Sequence, residues 1–321
     1  MIKRTLEISS APARLSVRHR QLVIARDGAE PVTAPIEDIG LLIIDQQATS
    51  YSHNALTTLA EAGAAVALCG ANHLPAALVI PVVGNALQAE RQRAQIAATK
   101  PLAKQLWRRL VAAKLARQAD TLEGAGSDGV DLRAMARRVR SGDPENLEAQ
   151  GAQRYWPRLF GKSFRRDPQG DPPNHLLNYG YAVIRAAAAR ALVGAGLLPA
   201  FGIQHSNRGN PFALADDLIE PFRPFVDAVV VEMVRAGLDQ GELDRERKAP
   251  LLALLNRRVA IGGTTTPLSL AFGRVATSLA ESFLNKSPRL ILPERLLSED
   301  EERAAAGLPA APRAIHAAAD P

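Results

Sequence analysis

Apolar and polar positions follow two different periods along the chain, and the change falls near residues 81–86. From Thr5 to about Val83 the pattern is short and strand-like. Leu15 and Val17 alternate with polar neighbours, Leu22-Val23-Ile24 follows, and Arg26-Asp27-Gly28 reads as a turn. Apolar runs recur at Ile39–Ile44, Ala64–Cys69 and Ala77–Val82, with one helical stretch, Asn54–Ala62, that Ser52 or His53 can cap. This predicts hairpins and a small β-rich module with one helix packed on it.

After Pro81 and Gly84 the period becomes helical, and Gly and Pro clusters mark the breaks. The pattern predicts helices at about 85–98, 100–122, 130–140, 144–160, 175–196, 213–236, 246–259 and 266–285. Pro221 and Pro224 predict a kink, because each removes a backbone donor and crowds the preceding turn. The segment from Leu297 has no apolar period and reads as a disordered tail. The expected fold is α+β. A small N-terminal β-sandwich-like domain (1–83) precedes a larger all-α C-terminal domain (84–296), and a tail (297–321) follows.

Composition narrows the class. The 321 residues are enough for two domains, and 47% hydrophobic with 22% charged is globular. A lone cysteine, Cys69, excludes an internal disulfide framework. The most apolar stretch, 181–198, is interrupted by Arg185 and Arg190, so membrane spanning is not expected. The opening Met-Ile-Lys-Arg-Thr-Leu-Glu lacks the apolar core of a secretory signal, and a cytoplasmic location is expected.

The net charge of +6 favours polyanionic partners. Between Arg91 and Gln118 all eight charged residues are basic, Lys104, Arg108, Arg109 and Lys114 among them. A second group comprises Arg133, Arg137, Arg138 and Arg140; a third comprises Arg154, Arg158, Lys162, Arg165 and Arg166. Any one run can be a solvated helix face. Three together point to a nucleic acid bound through its phosphates, without a motif for reading bases.

Candidate metal chemistry lies in three places. Asp143 and Pro144 can open a helix on which Glu148, Ala152 and Tyr155 share a face, although a lone acid in such a pattern is more often a structural ion pair, here with Arg154 or Arg158. His205 sits in a loop between helical segments, with Asp216, Asp217 and Glu220 following. Asp217 and Glu220 are three residues apart, so a helical turn puts both carboxylates on one side. Either Arg223 neutralises them or a cation does. Glu, His and Glu ligation suits Mg2+ or Mn2+, which bind phosphate oxygens.

Four segments, Pro35-Ile-Glu-Asp-Ile-Gly, Leu176-Leu-Asn-Tyr-Gly-Tyr-Ala, Gly202-Ile-Gln-His and Ala215-Asp-Asp-Leu-Ile-Glu-Pro-Phe-Arg-Pro, resemble CRISPR-associated protein one, in the right order from about Thr5 to Leu297. The stretch from Cys69 to Pro75 looks like the type II form. The resemblance implies a metal-dependent endonuclease and integrase of spacer acquisition, in which a protospacer 3′-hydroxyl attacks a phosphodiester at the repeat border. It implies metal ligation by Glu148, His205 and Glu220, with Asp217 an accessory acid. Arg208 is implied as a phosphate contact, and Asn178 and Tyr181 as the border of the site. Lys104, Arg108, Arg109, Arg165 and Arg166 are the further candidates for holding double-stranded DNA. The implied assembly is a homodimer, two of which flank a dimer of the small companion protein numbered two. A type II effector nuclease and its accessory acquisition protein are possible further partners. Two rival readings are a non-catalytic basic DNA scaffold and a metal hydrolase of small phosphoesters.

Overall fold

The computed structural model describes residues 3–298 and 300–302. Its N-terminal part is two four-stranded sheets. One has the order β1 (Arg4–Ile8), β5 (Ile39–Ile44), β7 (Ala65–Cys69), β8 (Pro75–Val79); the other has β4 (Val32–Pro35), β3 (Gln21–Ala25), β2 (Arg14–Arg18), β6 (Ser50–Tyr51). The hairpins expected from the pattern account for only part of the first sheet. β1, β5 and β7 run parallel, and α1 (His53–Glu61) lies in the crossover from β5 to β7. The continuous apolar run of β5 is the reason. A strand buried on both faces has no polar side to alternate with. Leu42 and Ile44 face the interior between the sheets, whereas Leu41 and Ile43 join the core of the helical part.

The ends of these elements follow local chemistry. The Ser52 hydroxyl accepts from Ala55 N at 3.2 Å and caps α1. His19 and Arg20, both at positive φ (50° and 59°), make the two-residue turn joining β2 to β3. The expected strand at Ala77–Val82 instead begins at Pro75 and ends at Val79, leaving Val82 and Val83 exposed.

Helices α2 (Gln88–Ile96), α3 (Lys100–Gly124), α4 (Val130–Arg138), α5 (Leu147–Phe160), α6 (Asn174–Gly194), α7 (Ala213–Ile219), α8 (Arg223–Arg235), α9 (Arg245–Ala253) and α10 (Leu268–Leu284) form the rest. The kink at Pro221 is a 3-10 turn, Glu220–Phe222, that separates α7 from α8. The C-terminal part is not all helical. β9 (Arg258–Ile261), β10 (Thr264–Pro267) and β11 (Pro293–Leu296) form a small antiparallel sheet, and the first of these strands takes the place of the end of the helix expected to run to residue 259. Gly262 and Gly263, at φ +53° and +72°, supply a turn that a β-carbon would strain, and the β-branched threonines after it favour a strand.

The expected disordered tail falls largely on residues outside those described. Of it, Glu301 pairs with Arg295 at 2.7 Å, and the Glu302 carboxylate accepts from Arg258 N.

Candidate active site

Helix α3 is the post around which the site is assembled. Trp107, Val111, Lys114 and Gln118 recur at intervals of three and four residues, so they share one face, and all four are turned inward. Lys114 thus leaves the basic surface to which its neighbours belong. Its ammonium lies 2.7 Å from Glu148 Oε1 and 2.6 Å from Glu220 Oε2.

Glu148 reaches Lys114 from the first turn of α5. This helix starts at Leu147, later than Asp143 and Pro144 suggested, because Asp143 and Asn146 adopt positive φ (47° and 52°). Asp143 still serves the helix start, since its two carboxylate oxygens accept from Leu147 N at 2.9 Å and Glu148 N at 3.0 Å. One turn further on, Gly151 lets α5 close on α3; a β-carbon there would lie 2.2 Å from Leu115 Cδ2. Neither Arg154 nor Arg158 pairs with Glu148. Both turn to Asp131.

Glu220 opens the 3-10 turn and is buried, with its second oxygen 3.0 Å from Arg223 Nε. Arg223 therefore neutralises Glu220 in part, while Asp217 goes elsewhere. Burial alone would raise the Glu220 carboxyl and lower the Lys114 ammonium. The charges of Arg223 and Lys114 outweigh this for Glu220, and those of Glu220 and Glu148 do so for Lys114, so the acid is lowered and the base raised. The 2.6 Å contact with Oε2 is an ion pair without hydrogen-bond geometry, and Oε2 accepts no hydrogen bond.

His205 projects from the loop between α6 and α7. Asp217, fully buried on α7, accepts hydrogen bonds from the backbone N–H groups of Ile203, Gln204 and His205 and from Nδ1 of His205 at 2.7 Å. The hydrogen bond to Asp217 raises the His205 pKa, against the desolvation that lowers it. With Nδ1 bound, Nε2 is the free nitrogen. Gly202 is needed for this fold-back, as a β-carbon would meet His205 O at 2.3 Å. The imidazole stands edge-on to Trp107 with ring centroids 6.0 Å apart. Trp107 and Lys114 are seven residues apart, about 10 Å along the helix.

The other expected site residues divide by place. Tyr181 borders the site, with Arg223 4.7 Å above its ring. Asn178 lies further off, accepting from Arg166 Nη2, in the wall of a cavity of about 700 Å3 that Tyr181 and Arg223 also line. Arg166 is engaged internally with Asn174, Asn178 and the Tyr181 ring, whereas Arg165 is exposed. Lys104 and Arg208 are exposed. Arg108 and Arg109 are exposed too, each tied by one nitrogen to a backbone carbonyl, Val139 O and Leu290 O.

The second basic group carries more counter-charge than its run of arginines suggested. Arg133 meets Asp120 and Glu123, and Arg138 and Arg140 meet Glu145. His73, which has no acidic neighbour at helical spacing in the sequence, has Asp45 at 3.0 Å, because the loop after β7 folds back over the end of β5. Lys114, Trp107 and the buried Asp227 are participants that sequence reasoning missed.

The donor set, two carboxylates and one imidazole nitrogen, is of the type that suits a hard divalent cation. Glu220 Oε2, buried and charge-paired but accepting no hydrogen bond, fits that use. Among the described residues, however, no three His, Cys, Asp or Glu side chains already converge as a metal cage, and Lys114 bridges the two glutamates instead.

The family model for CRISPR associated protein Cas1 matches residues 6–259. The CRISPR-associated endonuclease Cas1 of Neisseria meningitidis serogroup C (strain 8013) is 37% identical over 286 residues, covering 88% of this chain and 93% of that protein. In fold, the chain is similar to a casposase bound to integration product, with a TM-score of 0.73 at 21% identity, covering 89% of this chain and 92% of that one. It is also similar to a Cas6-RT-Cas1–Cas2 complex, with a TM-score of 0.69 at 17% identity, covering 89% of this chain and 35% of that one. A match spanning most of the sequence, with the motifs in order and the fold in common, means that the chain belongs to the CRISPR associated protein Cas1 family.

Proposed function

We propose that this protein is a metal-dependent DNA endonuclease and integrase that inserts protospacer DNA into a CRISPR array. The observation that carries the reading is the gathering of Glu148, Glu220 and the Asp217-oriented His205 around one face of α3. The Neisseria relative named as an endonuclease and the casposase named with an integration product support it.

Mg2+ or Mn2+ would be held by Glu148, Glu220 and Nε2 of His205, and would supply Lewis-acid stabilisation of charge developing on phosphate oxygens. The remaining work belongs to the chain. Asp217 keeps the His205 proton on Nδ1, so that Nε2 stays a lone-pair donor. Lys114 compensates the two glutamates and puts a cation beside the place the scissile phosphate would take. Arg223 holds one Glu220 oxygen and thereby limits how the carboxylate turns. Lys104, Arg108, Arg165 and Arg208 contact DNA phosphates without reading bases. Arg109 contributes in the same way.

The working assembly is a homodimer joined to the companion Cas2, a partner suggested by the Cas1–Cas2 neighbour. A type II effector nuclease with its accessory protein is recruited to it, in the cytoplasm. Among the described residues no helix is long and apolar enough to cross a membrane.

The test is Glu220→Ala in the purified protein with Cas2. Strand joining and nicking should be lost while duplex binding persists. Joining at the wild-type rate would reject the site, whereas a wild-type protein that binds duplex but neither nicks nor joins it would favour the basic-scaffold reading. Turnover of a small phosphodiester that is insensitive to salt would favour the small-substrate hydrolase.

A further inference from the structure

Seven residues beyond each glutamate, α5, which carries Glu148, and α8, which follows directly on the 3-10 turn of Glu220, are joined by one buried carboxylate. Tyr155 is seven residues after Glu148 on α5, and Asp227 is seven residues after Glu220 on α8. The Tyr155 hydroxyl donates to Asp227 Oδ2 at 2.9 Å, and the Tyr181 hydroxyl of α6 donates to Oδ1 at 2.5 Å. Asp227 is 1% exposed. Next to it Gly180 and Val226 bring α6 and α8 together, where a β-carbon on Gly180 would stand 2.4 Å from Val226 Cγ1. Arg223 completes the circuit, stacked on the Tyr181 ring while holding Glu220.

A carboxylate buried this way is costly unless it is satisfied. Burial pushes Asp227 up to about 7, with the tyrosine hydroxyls and Arg223 acting against that rise. Hydrophobic packing alone could fill this space, so an acid here implies a demand for fixed geometry.

We propose that Asp227 is a positioning residue, whose grip on Tyr155 and Tyr181 fixes the separation of Glu148 and Glu220 and so sets the metal affinity of the site. It acts through α5, α6 and α8 and touches neither DNA nor the reacting atoms. This rests on the reading of the two glutamates as metal-holding acids.

The experiment uses Asp227→Asn and Tyr155→Phe in the full chain. Mn2+ affinity is measured directly by electron paramagnetic resonance, alongside metal-free duplex affinity, thermal midpoint and the Mn2+ midpoint for strand joining. Loss of a group that hydrogen-bonds a metal ligand directly lowers affinity about 10- to 100-fold; Asp227 acts one layer further out, so a fall at the lower end of that range, about 10-fold, is expected here. Metal-free duplex affinity should not change. The double variant should be no worse than Asp227→Asn alone, because Tyr155→Phe removes only a bond that the change at Asp227 already disturbs.

Wild-type Mn2+ affinity in folded Tyr155→Phe would overturn the proposal, as would a lowered thermal midpoint with an unmoved Mn2+ affinity. Should Asp227→Asn fail to fold, Tyr155→Phe, which loses a single hydroxyl, decides the matter alone. Glu220→Gln separates the two ideas. If it binds Mn2+ like wild type, the metal reading itself fails; if only it loses the metal and the Asp227 and Tyr155 variants do not, the positioning role alone falls.

Discussion

Lys114 Nζ lies 2.6 Å from Glu220 Oε2, an ion pair in which both side chains are largely withdrawn from water. The same ammonium serves Glu148. Removing one member of such a buried set leaves charge uncompensated, which costs about 3–5 kcal/mol. Lys114→Met should therefore destabilise the metal-free protein by about that much. Added Mn2+ should raise the thermal midpoint of the variant more than that of wild type, since it replaces the missing cation. Equal rises in both proteins would mean that Lys114 and the metal do not share a place.

Asp217 and His205 predict a pH dependence. The hydrogen bond to Asp217 raises the folded-state pKa of His205 above its ordinary 6.5. The resulting stabilisation is fully present below about 6.5 and is lost as pH rises through the raised value. Asp217→Asn should thus be most damaging near pH 5.5 and less so near pH 8.5. A loss of about 1–3 kcal/mol should persist at every pH, because the amide replaces one of the two accepting oxygens with an NH2 group, and the backbone N–H groups bound at that oxygen lose their acceptor. Urea denaturation of the metal-free proteins across this range checks it; a stability gap that widens with pH would contradict the assignment.

Gly151 permits the approach of α5 to α3. A methyl group there meets Leu115 Cδ2 at 2.2 Å, and overpacking of this kind costs roughly 1–3 kcal/mol. Gly151→Ala should lower the thermal midpoint and weaken nicking, since it pushes Glu148 away from Lys114. Combining it with Leu115→Ala should restore part of the nicking rate. Unchanged nicking in a folded Gly151→Ala protein would show that this helix packing does not set the Glu148 position.

Lys104 and Arg108 stand exposed on α3 beyond the buried face. Changing both to Ala should weaken binding to all duplex sequences about equally and reduce the salt slope by about 2, near one for each phosphate that is no longer neutralised. Binding titrations at several salt concentrations measure this. A weakening confined to one sequence would argue for base reading.

Much of this architecture was legible from residue order. The apolar run at Ile39–Ile44 announced a strand, though not that it is parallel and buried on both faces; Ser52 or His53 marked the start of α1, where Ser52 is the cap; and Pro221 with Pro224 announced the break before α8. The spacing of Asp217 and Glu220 suggested a shared use, but the structure divides them: one orients His205 and the other meets Lys114. Lys114 was hidden by its neighbours, because a one-signed run looks like a solvated surface. Its inward direction appears only when Trp107, Val111 and Gln118 are seen on the same helical face. Asp227 was silent for a different reason: its tyrosine partners are 72 and 46 residues away, and no local period connects them. The sheet at β9–β11 was missed because apolar residues at 251–255 continue a helical pattern almost to its first strand.

The most direct test is to locate Mn2+ by anomalous scattering in crystals of the wild-type protein soaked in that ion. The account predicts one ion bound by Glu148, Glu220 and His205 Nε2 at roughly 2.0–2.3 Å, with the Lys114 ammonium moved off the glutamates. An ion bound elsewhere with Lys114 still bridging Glu148 and Glu220, or strand joining that proceeds undiminished in excess chelator, would contradict it.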